Sequence, residues 1–211
     1  LAVGIERGAR ARVVESGASI QQSSLNVKTW NVEATEDGNE MLSLAFRALL
    51  RVSRVDGESF VRVEAEADIP PGGGLGCSAA VGVAIARALD PGADNEQIRE
   101  RVMVWERVFH GNPSGIDGAV SAMGGCMYFV KEKPMEPVSL RVPMLLCVGY
   151  TGVSSSTKSM VESVAKLRER KPEAVEKAWE GIRSLVGNAR LAIEAGDMTG
   201  LGKLLDLNQM L

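Results

Sequence analysis

Two short stretches of the chain combine residue types that can hold an anion beside an acid. Residues 70–80 read PPGGGLGCSAA, with four glycines directly before a run of small apolar residues. Residues 110–117 read HGNPSGID, which contains the only histidine of the chain and ends in a carboxylate. A glycine loop that opens a helix directs backbone N–H groups and the helix dipole at one point, which favours phosphate. The two stretches together therefore raise the prospect of a nucleotide site.

The glycine loop by itself admits several interpretations. A structural turn is the simplest, because glycine adopts positive φ and allows close packing. A dinucleotide-binding fingerprint is another, because residues 74–79 fit G-x-G-x-x-A. Against it, residues 60–67 place three charges on one face, whereas the first strand of a dinucleotide-binding fold is buried on both faces. A Walker A loop is excluded because no G-K-[ST] follows the glycines.

A further interpretation uses the whole string PPGGGLGCSAA. It is similar to the phosphate-binding loop of the GHMP kinases, P-x-x-x-G-L-G-S-S-A-A, and departs from that pattern at Cys77, where the family has serine. The resemblance implies that the loop binds ATP and that Ser78 ligates Mg²⁺. The predicted ATP-binding residues are Pro71, Gly72, Gly73, Gly74, Leu75, Gly76, Cys77, Ser78, Ala79 and Ala80.

Residues 110–125, HGNPSGIDGAVSAMGG, narrow the resemblance within that family. They look like the mevalonate kinase segment H-G-N-P-S-G-[IV]-D-N-A-V-S-x-x-G-G, with Gly118 where asparagine is usual. The resemblance implies that Asp117 is the catalytic acid that contacts the substrate hydroxyl, that Glu106 is the second Mg²⁺ ligand, and that His110 and Ser114 lie at the substrate. A carboxylate can direct the proton of an alcohol that attacks a γ-phosphoryl group, and Mg²⁺ prefers a few hard oxygen ligands.

Each of these residues also has a purely structural interpretation. Glu106 by itself is typical of a solvated helix charge, and Asp117 of a helix cap. Glu106 and His110 are spaced like a metal-binding pair, but the chain has no other histidine and no evident third ligand. Ser114 by itself is typical of a turn residue.

Two further stretches extend the resemblance toward the end of the chain. Residues 148–161, VGYTGVSSSTKSMV, are similar to an archaeal-type mevalonate kinase segment, which implies that Thr157 contacts substrate or phosphate; an N-cap is its structural alternative. Residues 201–211 resemble a family helix through Asn208 and Gln209. The family's opening motif, which carries a lysine that polarises the hydroxyl, and its later G-A-G-G-G-G motif do not occur in the sequence. We therefore expect the 211 residues alone to be inactive.

Periodicity predicts the elements that position these residues. Residues 60–67 alternate apolar and charged side chains, which predicts a half-exposed antiparallel strand. Residues 78–89 are apolar on nearly every side and predict a buried helix. Asp94 with Gln97 predicts a capping box that opens a helix over residues 95–109. The other predicted elements are strands within residues 1–35, a helix at 39–51, strands at 126–130, 138–142 and 144–150, and helices from 159 onward with breaks near 172 and 196.

The order of these elements is typical of the α+β class. The resemblance implies a GHMP kinase fold, with a ribosomal-protein-S5-like N-terminal part and a ferredoxin-like C-terminal part. It places an ATP- and Mg²⁺-binding domain at residues 1–145 and a second domain at 146–211. It implies transfer of a phosphoryl group from ATP to the C5 hydroxyl of mevalonate, in a chain that forms a homodimer. The alternatives are another GHMP small-molecule kinase and a non-catalytic GHMP-fold protein that binds a metabolite.

Composition bounds the partners and the compartment. The net charge is −3 and no basic run occurs, which predicts neither a nucleic-acid partner nor an anionic membrane surface. No apolar stretch approaches the roughly 18 residues of a membrane span, and the first residues do not have a signal-peptide pattern. Cys77, Cys126 and Cys147 show no CxxC spacing, which favours a reducing compartment over a disulfide framework or a zinc site. We therefore expect a cytoplasmic protein.

Overall fold

Blocks of strands and helices follow one another along this computed structural model, which describes residues 1–17, 19–53, 60–130, 133–149 and 157–211. The strands are β1 (Ala2–Val3), β2 (Ala9–Ser16), β3 (Ser24–Val27), β4 (Val32–Thr35), β5 (Val61–Ala67), β6 (Cys126–Tyr128) and β7 (Glu136–Val138). The helices are α1 (Met41–Ser53), α2 (Cys77–Leu89), α3 (Asn95–His110), α4 (Ile116–Met123), α5 (Thr157–Arg170), α6 (Pro172–Ala195) and α7 (Met198–Gln209), and a 3-10 helix spans Lys28–Trp30. This order confirms the predicted α+β class. Within the described ranges, no helix has the length and apolar character needed to cross a membrane.

The chain divides into two compact units. The larger unit is the continuous segment Ile5–Gly124, and the split unit combines Leu1–Gly4 with Gly125–Leu211. The sequence analysis instead assigns ATP and Mg²⁺ binding to a domain at residues 1–145 and places a second domain at 146–211. That division stays a prediction.

A four-stranded sheet in the order β2-β5-β3-β4 forms one layer of the larger unit. Strand β5 pairs antiparallel with β2 and parallel with β3. Val63 and Ala65 on β5 are buried against the helices, whereas Glu64 on the opposite face forms ion pairs at 2.8 Å with Arg12 and with Lys28. The half-exposed strand predicted at residues 60–67 is confirmed, but its predicted antiparallel pairing holds only along the edge shared with β2. Its charged face argues against the dinucleotide-binding interpretation.

Helices α1 to α4 enclose the apolar core of the larger unit. The fully buried side chains include Phe46 of α1, Ile85 of α2 and Trp105 of α3. The predicted capping box is confirmed, because Asp94 Oδ1 accepts from the Gln97 N–H at 2.8 Å and Gln97 Oε1 accepts from the Asp94 N–H at 2.9 Å. This cap fixes where α3 begins, and therefore which face of the helix lies against α2.

The split unit contains an antiparallel sheet in the order β1-β6-β7 and helices α5 to α7. The predicted helix breaks are confirmed. Pro172 occupies the first turn of α6, and Gly196 ends that helix in the left-handed conformation at φ 78°. Asp197 then caps α7 by accepting from the Gly200 N–H at 2.8 Å.

The strand predicted at 138–142 agrees with the structure only at Val138, where β7 ends, and the strand predicted at 144–150 is wrong over its described residues. Strand β7 spans Glu136–Val138, and residues 139–149 contain no strand. The side chain of Leu145 is 97% exposed. The apolar composition alone suggested a strand, but no described strand pairs with this run, and an unpaired strand is not stable. The strand predicted at 126–130 also ends early, at Tyr128.

Candidate functional site

Glycines with positive φ shape the loop that leads into α2. Gly72, Gly74 and Gly76 have φ values of 71°, 72° and 67°, a region that residues with a Cβ rarely adopt. Gly76 is the N-cap of α2, and no side chain caps the helix there. A helix start without a side-chain cap leaves its first N–H groups to an external acceptor, and the dipole favours an anion.

Cys77 faces the core and not the open side of this loop. Its side chain is 5% exposed and its Sγ donates to the Ile69 carbonyl at 3.3 Å. Burial raises the pKa of this thiol to about 11, so it stays protonated at neutral pH. Cys77, which replaces the serine of the family pattern, therefore has a side chain that packs in the core.

Ser78, in the first turn of α2, meets Glu106 of α3. Ser78 Oγ donates to Glu106 Oε1 at 2.7 Å. Glu106 is only 4% exposed, so its interpretation as a solvated helix charge is wrong. The indole Nε1 of Trp105 donates to both the carbonyl and the hydroxyl of Ser78, at 3.0 and 3.3 Å.

The carboxyl of Glu106 lies in an environment that disfavours its charge. Burial raises its pKa above the ordinary value, and the nearby charge of Asp117 acts in the same direction. The hydrogen bond from Ser78 and the proximity of His110, whose Nε2 lies 3.5 Å from Glu106 Oε2, oppose the rise in part. Among the described residues, no lysine or arginine forms an ion pair with this acid. A buried carboxylate in this position favours a bound cation.

The donor set fits a magnesium ion. It offers one hydroxyl and one carboxylate, both hard oxygens, and the described residues contain no group of three or more His, Cys, Asp or Glu side chains arranged to hold a metal. Mg²⁺ commonly takes one or two protein ligands and completes its shell with phosphate oxygens and water.

Asp117 lies beside the loop at the start of α4. A Cβ added at Gly76 would lie 3.7 Å from Asp117 Cβ and 3.9 Å from Oδ1, so the starts of α2 and α4 meet here. Gly115, at φ 82°, is the N-cap of α4, so the alternative role of Asp117 as the cap is wrong. The side chain of Asp117 is exposed. The fold thus brings an accessible acid to the glycine loop.

The remaining predicted site residues have mixed placements. Ser114 is exposed and its Oγ accepts from the Ile116 N–H at 3.4 Å, a turn contact that leaves its predicted substrate role untested. His110 is close to Glu106, and its predicted substrate role likewise stays a prediction. Thr157 begins α5, but its side chain lies outside the described residues, as do residues 150–156 of the same motif.

The contact of Trp105 with Ser78 was not predicted. Trp105 lies on the buried face of α3, with Ile98 and Val102, and is fully buried. The available signal was Gly82, a glycine in the middle of an apolar helix. A Cβ at Gly82 would lie 2.7 Å from Trp105 Cδ1, so the glycine marks where the indole approaches α2.

Comparison with known proteins shows similarity to one family over the residues that form this site. Residues 43–125 match the model of the GHMP kinases N terminal domain, and this range includes Ser78, Glu106 and Asp117. The mevalonate kinase of Pyrococcus horikoshii is 36% identical over 179 residues, which is 80% of this chain and 53% of that protein. The mevalonate kinase of Archaeoglobus fulgidus is 37% identical over 153 residues, which is 71% of this chain and 51% of that protein. The chain thus spans about half the length of these curated relatives.

Solved structures show that the fold is shared. The crystal structure of L. major mevalonate kinase in complex with R-mevalonate matches 98% of this chain and 66% of that one, with a TM-score of 0.77 at 23% identity. The mevalonate kinase of Methanococcus jannaschii matches 93% of this chain and 68% of that one, with a TM-score of 0.59 at 13% identity. The predicted GHMP kinase fold is therefore confirmed.

Proposed function

Because this chain belongs to the GHMP kinase family, we propose that it contributes the ATP·Mg²⁺ site of an enzyme that phosphorylates the C5 hydroxyl of mevalonate. The reaction gives 5-phosphomevalonate, a step of isoprenoid biosynthesis. The main support is the 2.7 Å hydrogen bond between Ser78 and the buried Glu106 at the start of α2. Mevalonate as the substrate is supported by the names of the relatives and by the R-mevalonate complex of the L. major protein.

In this proposal, residues 71–80 bind the phosphates of ATP. The positive-φ glycines let the backbone approach the phosphates closely, and the first N–H groups of α2 offer hydrogen bonds and a favourable dipole. Cys77 contributes through its backbone, because its side chain is bonded to the Ile69 carbonyl.

Ser78 and Glu106 hold the metal ion in this proposal. Bound Mg²⁺ neutralises charge on the transferring phosphoryl group. Glu106 binds as a carboxylate, and because burial raises its pKa, metal binding favours its deprotonated form. Burial of Glu106, which is 4% exposed, limits the access of water to its carboxylate.

Asp117 accepts or directs the proton of the attacking hydroxyl. Its exposed carboxylate lies next to the glycine loop, where an alcohol held by the protein can approach the terminal phosphate. His110, Ser114 and Thr157 are proposed to contact the substrate. We also propose that the protein is cytoplasmic and that it forms a homodimer. Light scattering on the purified protein measures the oligomeric state.

Substrate-dependent ADP release tests this function. The enzyme that contains this chain is assayed with mevalonate, galactose, homoserine and phosphomevalonate as acceptors, beside its Asp117→Asn variant. We expect release only with mevalonate, and a loss of about 100-fold or more in the variant, since general acid–base catalysis contributes about 10²–10⁴-fold. Full activity of Asp117→Asn would exclude the proton role.

The same assay separates the alternatives. Release with another acceptor would assign the chain to a different GHMP kinase. Binding of mevalonate and ATP without turnover would identify a non-catalytic metabolite-binding protein, and calorimetric titration of each ligand provides that measurement.

A further inference from the structure

We propose that Trp105 is a positioning residue that orients the hydroxyl of Ser78 for cation binding. The inference rests on the proposed function, because it assumes that Ser78 and Glu106 share a Mg²⁺ ion. Trp105 itself touches neither substrate nor metal in this proposal. It acts through one hydrogen bond on the ligand beside it.

The indole donates to two oxygens of the same serine. Trp105 Nε1 lies 3.0 Å from the Ser78 carbonyl oxygen and 3.3 Å from Ser78 Oγ. Trp105 is fully buried, and its ring packs on Phe109 with 5.4 Å between centroids. A donor fixed by a buried ring has one direction, so the position it gives to the hydroxyl is also fixed.

The hydroxyl of Ser78 then has a defined partner for its proton and for one of its two lone pairs. A serine hydroxyl has one proton and two acceptor lone pairs. The proton points to Glu106 Oε1 at 2.7 Å, and the indole N–H occupies one lone pair. The second lone pair stays available to a cation that also contacts the Glu106 carboxylate. Without the indole, the hydroxyl can rotate and present either lone pair. The oxygen is then less well oriented toward the cation, which lowers the affinity for it.

Gly82 shows that the backbone accommodates this contact. A Cβ at Gly82 would approach three atoms of the indole, at 2.7, 3.0 and 3.0 Å. The glycine lies one helical turn after Ser78, so the ring reaches the backbone of α2 only because Gly82 has no side chain. The glycine therefore permits the close approach that the hydrogen bonds from the indole to Ser78 require.

Trp30 is the matched control within the same unit. Its Nε1 is also buried, but has no hydrogen-bond partner among the described residues. Trp30→Phe therefore removes an indole N–H of the same kind without removing a contact to Ser78. The chain contains three tryptophans, so each indole N–H can be followed individually by NMR.

Metal binding is the readout that a packing role alone would not change. Mn²⁺ affinity is measured by EPR on the full-length protein with a non-hydrolysable ATP analogue, for wild type, Ser78→Ala, Trp105→Phe and Trp30→Phe. We expect Trp105→Phe to weaken Mn²⁺ binding about tenfold, as loss of an outer partner of a metal ligand does. Trp30→Phe should bind as wild type. Urea unfolding of each variant establishes that the fold is intact.

The outcomes distinguish this inference from the proposed function. Wild-type Mn²⁺ affinity in Ser78→Ala would overturn the proposed metal site itself. Weak binding in Ser78→Ala with wild-type affinity in Trp105→Phe would overturn only the role of Trp105, as would equal losses in both tryptophan variants.

NMR of the unmodified protein decides the matter if Trp105→Phe fails to fold. Adding Mg²⁺ to the complex with the ATP analogue makes Ser78 Oγ a poorer acceptor, so the Trp105 indole proton should shift upfield while that of Trp30 does not. An unshifted Trp105 signal would overturn the inference.

Discussion

At the scale of single residues, the buried carboxylate of Glu106 favours cation binding but lowers the stability of the fold. A carboxylate that is 4% exposed lacks most of its hydration, and the Ser78 hydroxyl and His110 return only part of that loss. When no cation is bound, this burial of charge lowers the free energy of unfolding of the protein. We therefore expect stability and metal affinity to change in opposite directions when the charge is removed.

Glu106→Gln tests that opposition. The amide keeps the shape and can still accept from Ser78, but has no charge to bury, so in EDTA the free energy of unfolding should be equal to that of wild type or higher by about 1 kcal/mol. Mn²⁺ binding should be lost. Urea denaturation and EPR measure the two quantities, and a clear loss of stability in EDTA would contradict the view that the buried charge is costly.

Cys77→Ser tests whether the departure from the family pattern has a chemical effect. The side chain is bonded to the Ile69 carbonyl and is part of the core, so a serine hydroxyl there would bond in the same place. We expect the affinity for ATP to be unchanged, whereas Ser78→Ala one residue later weakens it in the presence of Mg²⁺. Calorimetric titration measures both, and tighter ATP binding by Cys77→Ser would mean that position 77 faces the phosphates.

At the scale of elements, α2 and α3 are held together at both ends of their contact. Ser78 and Trp105 connect them at the site. At the other end, Asp90 Oδ2 accepts from Arg101 Nη1 at 2.7 Å, with side chains 17% and 18% exposed. The hydrogen bond from Arg101 lowers the pKa of Asp90 below its ordinary value. This pair connects the end of α2 to α3, the two helices that carry Ser78 and Glu106.

Asp90→Asn should therefore destabilise the fold in a pH-dependent way. A carboxyl whose pKa is lowered by folding contributes stability above its ordinary value of 3.8, and that contribution disappears as the pH falls through the lowered pKa. The variant should be less stable than wild type at neutral pH and nearly equal to it in strong acid. Urea unfolding across this range measures the difference. Asp68→Asn, which removes the exposed pair with Arg10, is the control and should change little.

The elements were predictable where local pattern determines them. The alternation of residues 60–67 and the Asp94–Gln97 box predicted β5 and the start of α3, because both depend on neighbours in sequence. The strand predicted at 144–150 failed because a strand depends on a distant partner that sequence alone does not reveal. The burial of Glu106 was equally hidden, since it depends on how α3 lies on α2.

Gly118 departs from the family pattern at a point where α4 packs closely on α3. Asparagine is usual there, but a Cβ at Gly118 would lie 3.2 Å from Val102 Cγ1. This contact lies next to Asp117, whose side chain is close to Gly76 of the glycine loop. Sequence comparison identified the difference, and the helix contact supplies its reason.

At the scale of the whole molecule, the two units differ in how they are assembled from the chain. The larger unit is continuous from Ile5 to Gly124 and contains its whole sheet, helices α1 to α4 and one core cluster. The split unit needs Leu1–Gly4, because β1 pairs with β6 through Ala2 opposite Met127 and Val3 opposite Cys126. Of the two units, only the larger one has its sheet, its helices and its core within one continuous segment.

We expect residues 5–124 to fold by themselves and to retain the proposed metal site. The segment has the size of a typical domain, about 100–150 residues, and Ser78, Glu106 and Trp105 all lie within it. Urea unfolding followed by the fluorescence of Trp105 and Trp30 should be cooperative, and the Mn²⁺ affinity with the ATP analogue should equal that of the full-length protein. Ser78→Ala in the segment is the control for specific binding. A gradual, non-cooperative transition would mean that the larger unit depends on the rest of the chain, and cooperative unfolding without Mn²⁺ binding would mean that the metal site needs residues outside 5–124.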